Sequence, residues 1–367
     1  MRAIAITKLN KQLLFRILRQ TLVMAFIDYA LEPPSYGWQD EKGELIKPTT
    51  KQILTEFLYR INIFRCKKNW QAFMGWFWVL CLLPFFLVFF LHYFNWWLLL
   101  CGFLYSMVAM GSHGTIWYHR YCTHRAYTFR NKFWRFITQH LVIKVIPEEV
   151  YVVSHHVHHA KSDMPGDPYN AHAGFLYCFL ADVNHQAISK NLSEQDYERV
   201  TSLLKDTGVK CNTYAQYKKW GSIAHPVRTI GVWLLNWSFW YGVFFLVGGN
   251  ALACALYGSA IVWAVGVRTF NYEGHGKGKD KQQNGMDFNN DDRSINQFWP
   301  GFVAGEWHNN HHLFPGSARS GFLPYQIDFA WCYIYILHKL GGITSYNNSK
   351  KQFYEKHYKP YCTKEKA

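Results

Sequence analysis

NWQAFMGWFWVLCLLPFFLVFFLHYFNWWLLLCGFLYSMVAMGSHGTIWYH, from Asn69 to His119, contains no Lys, Arg, Asp or Glu. A helix needs about 20 mostly apolar residues to cross a bilayer, so this run holds two crossings. The break between them falls at Tyr93-Phe94-Asn95. Pro84 kinks the first span without abolishing it. A second charge-free run, Thr229 to Val267, holds two more crossings, with Gly248-Gly249-Asn250 as the turn. Trp70, Trp76, Trp96 and Trp97 suit interfacial belts. The expected fold class is therefore all-α. It is an integral membrane protein with four transmembrane helices in two hairpins, spanning 72–93, 96–117, 229–247 and 250–269.

The rest of the chain arranges itself around these spans. Residues 1–68 read as a cytoplasmic N-terminal segment. Its apolar stretch from Leu13 to Ile27, broken by Arg16 and Arg19, suits an amphipathic helix lying on the membrane rather than a secretory signal. Residues 69–342 form the membrane domain, and 343–367 a basic C-terminal tail. The nine cysteines form no CxxC pair, which fits a reduced compartment without a disulfide frame. Four crossings bring both termini and the middle segment, Arg120 to Arg228, to one side. All 39 Lys and Arg then face one compartment, which the positive-inside rule makes the cytoplasm. The net charge of +15 reads as a basic cytoplasmic helical cap against anionic lipid. Nucleic acid is the other partner of basic chains, but no reader module is recognisable here.

The 18 histidines are sorted. HRYCTH gives His119 and His124. SHHVHH gives His155, His158 and His159 in an HxxHH pattern. FNYEGH gives Asn271 and His275, and EWHNNHH gives His308, His311 and His312 in a second HxxHH. Residues i, i+3 and i+4 share a helical face, so each HxxHH aims three imidazoles in one direction. His119 and His124, five apart, diverge by more than a third of a helical turn and suit two neighbouring ions. Every group lies at the cytoplasmic mouth of the expected bundle. Nine histidines exceed the needs of one metal, and imidazole suits Fe, Zn, Cu and Ni. His156 lies in the cluster but off the pattern. His92, His140, His225, His338 and His357 stand alone and read as structural.

Other metal chemistries fit less well. Haem ligation in a membrane cytochrome needs paired histidines inside the spans. A carboxylate di-iron site needs ExxH motifs, and a zinc protease needs HExxH. The histidine groups lie outside the spans, and neither ExxH nor HExxH occurs in the sequence. A multi-histidine dimetal site at the membrane surface remains.

From about Phe73 to Gly342 the chain resembles the membrane-bound fatty acid desaturases of the acyl-CoA Δ9, or stearoyl-CoA, type. HxxxxH, HxxHH and HxxHH appear in family order, with the family's NxxxH as Asn271 and His275. The segments GEWHNNHHLFPGSARSGFLPYQID (305–328) and SDMPGDPYNAHAGF (162–175) resemble bacterial members. The resemblance implies two Fe2+ ions held by His119, His124, His155, His158, His159, His275, His308, His311 and His312, with Asn271 acting through water. It implies O2 as co-substrate and insertion of a cis double bond into a saturated acyl chain, of the acyl-CoA Δ9 type. Asp167 and Glu306, beside the motifs, are candidates for orienting ligating imidazoles.

One departure concerns the acyl carrier. Animal members usually read HRxHH, where this chain has His156, and the preceding Val152, Val153 and Ser154 replace the expected Trp and Arg. A free fatty acid, another thioester or a lipid-bound acyl chain is the alternative to CoA. Related scaffolds decarboxylate fatty acids to terminal alkenes or hydroxylate alkyl chains, and the non-enzyme alternative is a metal-binding membrane protein. The sequence holds no fused haem domain, CxxC motif or GxGxxG flavin site, so a separate electron donor is expected, a ferredoxin or a small b-type cytochrome. Such donors are often acidic, and a basic face favours the encounter.

Overall fold

The computed structural model describes residues 26–276 and 307–364, with the backbone of 282–283 and 286–287. The expected amphipathic helix lies outside the described residues apart from Phe26 and Ile27, and so does Glu306. The fold is predominantly helical. Helix α1 is Thr50–Ile61, opened by a capping box of Thr49 and Gln52. Helix α2 spans Lys67–Tyr93 and α3 spans Trp96–Thr123. They are separated where the Asn95 side chain accepts hydrogen bonds from the Trp97 and Leu98 amides. The chain after α3 contributes β1 (Tyr127–Phe129), α4 (Lys132–Gln139) and α5 (Glu148–Lys161). Then come α6 (Pro226–Gly274), α7 (His308–Leu313), α8 (Phe329–Lys339) and β2 (Ile343–Tyr346).

Among the described residues, three helices are long and apolar enough to cross a membrane: α2, α3 and α6. The third is not straight. Gly248 and Gly249 leave helical geometry, Gly249 at φ +65° and ψ −165°. The Tyr257 hydroxyl donates to the Trp237 carbonyl, and the two rings lie 5.5 Å apart. Twenty residues of straight helix would separate them by about 30 Å. The chain therefore folds back at the glycine pair, and the expected turn at Gly248-Gly249-Asn250 falls on this reversal.

One core lies between the long helices, with Trp78, Leu82, Met110, Trp233, Trp237, Phe244, Tyr257 and Trp263. At Gly258 a Cβ would come 2.8 Å from the Phe86 backbone, so a small residue sets that close approach. The outer faces are apolar and exposed, as at Leu91 and Leu246 (74% and 84%) and at Trp96 and Trp97. Contiguous exposed apolar surface of this kind suits lipid. A second core joins Trp117, Tyr127, Val152, Val153, Val157, Tyr197, Tyr217 and Ile334. Strand β2 pairs antiparallel with β1, so the chain beyond 342 packs back against the segment after α3.

Candidate metal centre

The last turns of α3 are π-helical, from Gly114 to Thr123. The His124 amide donates to the His119 carbonyl at 3.1 Å, an i→i+5 bond. This winding stacks residues five apart on one face. It corrects the expectation that His119 and His124 serve separate ions, because both imidazoles enter the same group. That expectation assumed 3.6 residues per turn.

The nine histidines expected as ligands converge from four segments. His119, His124, His155, His159 and His311 form one group, and His158, His275, His308 and His312 another, with the ring nitrogens of each within 4.8 Å of one another. In the first group His311 Nε2 lies 3.0 Å from His119 Nε2 and 3.1 Å from His159 Nε2, which is 3.1 Å from His155 Nε2. In the second, His308 Nε2 lies 2.9 Å from His275 Nε2 and 3.1 Å from His312 Nε2. Each HxxHH is divided between the groups. On α5 the i, i+4 pair enters the first group and His158 the second. On α7 His308 and His312 enter the second and His311 the first. The groups adjoin: the His159 and His312 rings stack at 4.8 Å. His156 enters neither.

Carboxylates hold the second group. The fully buried Asp167 accepts from His158 Nδ1 at 2.9 Å. It is itself oriented by the Asp163 and Tyr169 amides. His275 Nδ1 lies 3.0 Å from Asp163 Oδ2. Asp167 was a candidate from its place beside the motif. Asp163 was not, because its role depends on a left-handed backbone (φ +60°) that turns it toward a residue 112 positions away. Arg120 was also missed. Buried next to His119, it binds Asp328 Oδ2 at 3.0 Å, Ser320 Oγ at 2.9 Å and the Ala318 carbonyl at 2.7 Å, tying α3 to the segment after α7.

The electrostatics favour neutral imidazole. Burial, then the neighbouring histidines, holds His124, His155, His159, His308, His311 and His312 well below the usual range. Burial also pulls His275 down, but Asp163 outweighs it and the net shift is upward. Neutral imidazole is the form that ligates metal. His124 Nε2 and His158 Nε2 are buried without a hydrogen-bond partner among the described residues. Such a group costs about 1–3 kcal/mol, which a bound cation would relieve. The donor set and its converging nitrogens fit two imidazole-ligated metal ions.

A cavity runs along this centre. His119, His155, His308 and Asn271 line it beside Tyr118 and Tyr151, and it continues between the long helices past Gly75, Gly111, Gly114 and Trp263. Its polar end carries Arg60, Lys68, Lys190 and Arg268. Arg60 pairs with Glu56, Lys190 with Glu32 and Arg268 with Asp182.

A family model described as fatty acid desaturase matches residues 94–322. The chain is 28% identical to the sn-1 stearoyl-lipid 9-desaturase of Anabaena variabilis over 246 residues, 65% of this chain and 79% of that one. It is 27% identical to the hex-5-enoyl-[acyl-carrier protein] acetylenase of Moorena producens (strain JHB) over 259 residues, 65% and 74% of the two chains. With the acyl-CoA C20 Delta5-desaturase of Anemone leveillei it shares 28% over 237 residues, 63% and 67%.

Proposed function

The chain belongs to the fatty acid desaturase family, and from that premise we propose that it is an O2-dependent desaturase placing a cis double bond in a saturated acyl chain. The observation that carries this reading is the convergence of nine histidines into two adjoining groups, three of whose members, His119, His155 and His308, line a cavity that continues between the long helices. Two iron ions, when bound, would supply the activation of O2 and the oxidising power that an unactivated methylene requires. His119, His124, His155, His159 and His311 would hold one. His158, His275, His308 and His312 would hold the other, with Asn271 acting through water.

The chain's own residues supply position. Burial favours the neutral form of His124, His155, His159, His308, His311 and His312, and Asp167 and Asp163 fix the rings of His158 and His275 through Nδ1, leaving Nε2 for the metal. The cavity lays an acyl chain beside His119, His155 and His308 and keeps it from bulk water. We place the head group at the polar end. There Arg60, Lys190 and Arg268 each pair with a carboxylate, while the half-buried Lys68 has none among the described residues, and a thioester or ester would leave its carrier outside. The relatives act on lipid, carrier-protein and CoA substrates by name, and a Δ9-type bond on acyl-CoA or a lipid ester is the reading we adopt. Four crossings, with both termini and the histidines cytoplasmic, complete it, together with a separate electron donor.

The test is acyl and hydrocarbon analysis by gas chromatography of cells with and without the protein. An internal cis alkene in the acyl chains is expected. A terminal alkene, an alcohol or an unchanged profile would overturn the reading.

A further inference from the structure

A stretch without helix or strand runs through the core of the long helices. Residues 141–147 have no regular structure. Yet Val142, Ile143 and Val145 belong to the same core as Trp78, Trp237, Phe244 and Tyr257. Irregular backbone persists at that depth only where protein groups satisfy its N–H and C=O. Here side chains of the spanning helices do so. The Asn236 Oδ1 accepts from the Lys144 amide at 2.8 Å, and its Nδ2 donates to the Val142 carbonyl at 3.2 Å. Trp237 Nε1 donates to the Lys144 carbonyl at 2.9 Å, and Trp240 Nε1 to the His140 carbonyl at 2.9 Å. The Tyr105 hydroxyl accepts from the Ile143 amide at 3.1 Å. Tyr105 lies nine residues past Trp96, about 13 Å along the helix, so these bonds fall well inside the spans.

The same stretch is a wall of the cavity. Val145, Ile146 and Pro147 line it together with His119 and His155. The Tyr118 hydroxyl donates to the Ile146 carbonyl at 2.9 Å, so the helix that carries His119 also pins the wall. A wall built of helix would hold its own shape. This one takes its shape from side chains on α3 and α6, and an amide offers a donor and an acceptor on two separate atoms, so Asn236 holds the Lys144 amide and the Val142 carbonyl at once.

We propose that Asn236, seconded by Trp237, is a positioning residue: by clamping the embedded segment 141–147 it sets which carbon pair of the acyl chain lies against the histidine groups. Neither residue touches a histidine group, so the effect falls on the site of reaction rather than on metal binding. The proposal rests on the desaturation reading.

The experiment compares wild type with Asn236→Leu, Asn236→Asp (which keeps the acceptor alone) and Trp237→Phe (which loses one donor), reading double-bond position by mass spectrometry and iron by elemental analysis. A misplacement of about 1 Å can change a rate about a hundredfold, so displaced isomers should rise at least about tenfold in share in Asn236→Leu, less in the milder variants, at unchanged iron. If Asn236→Leu is not recovered folded, Trp237→Phe carries the comparison. The wild-type isomer at its wild-type share in every recovered variant overturns the proposal, even where turnover falls.

A second readout does not need turnover. In Val145→Cys protein, stearic acid in detergent should slow alkylation of the new thiol, followed at that residue by mass spectrometry, and adding Asn236→Leu should remove the protection. Alkylation indifferent to stearic acid overturns the wall. Protection that depends on Asn236 in a protein that makes no unsaturated product supports the wall and removes the desaturation reading instead.

Discussion

The imidazole groups make a demand that single substitutions can test. His158, His275 and His311 come from three segments and enter the two groups, so His158→Ala, His275→Ala or His311→Ala should abolish turnover with protein still in the membrane. His156→Ala should retain iron and measurable activity, since His156 enters neither group. Its ring points about 100° from His155 around the helix. Iron loss in His156→Ala as complete as in His158→Ala would break the ligand register. Asp163→Asn should lower metal affinity about 10–100-fold, the usual cost of losing a partner that orients a ligating histidine, as read by chelator competition. The histidines were legible because motif spacing is local. Asp163 was not, since its partner is distant in sequence. The division of each HxxHH was not either, because three imidazoles on one helical face can serve one ion or straddle two.

At the level of elements, the absence of charge located the long helices, and glycine pairs located the reversal in α6. Two features escaped. The π-helical end of α3 carries no sequence signature of its winding, and only its i→i+5 bonding distinguishes it. The embedded segment 141–147 reads as an ordinary linker, because what stabilises it lies on Asn236, Trp237 and Tyr105, far along the chain. The reversal itself is testable. Gly249 holds a backbone region open almost only to glycine. Gly249→Val should therefore destabilise the hairpin by about 1–3 kcal/mol, seen as a lower thermal midpoint in detergent. Gly43 also has positive φ but lies in an exposed turn, with nothing near a Cβ. Gly43→Ala should cost less by the same measurement, because no transmembrane packing depends on that turn.

At the scale of the whole molecule, the histidines constrain the path of the chain through the bilayer. His119, His124 and the α5 histidines precede α6, while His275 and the α7 histidines follow it. Their convergence requires both sets on one side of the membrane. A single crossing by α6 would place them on opposite sides. Its 49 residues would also extend about 73 Å if straight, more than twice a hydrocarbon core of about 30 Å. An even number of crossings satisfies both requirements, with the fold-back at Gly248–Gly249 as the outer turn. On the proposed topology, helices α2 and α3, joined at Asn95, add two more. Tags at Met1 and Ala367 and a reporter at Lys205 should therefore all report the cytoplasmic side, where the positive-inside rule puts the Lys and Arg of the cap. The check is protease or thiol-reagent access in intact cells against permeabilised ones. A tag on the opposite side from Lys205 would mean an odd number of crossings between them. If the reporter at Lys205 and one at Lys350 fell on opposite faces, the two histidine sets could not share a centre, and the dimetal reading would fail with the topology.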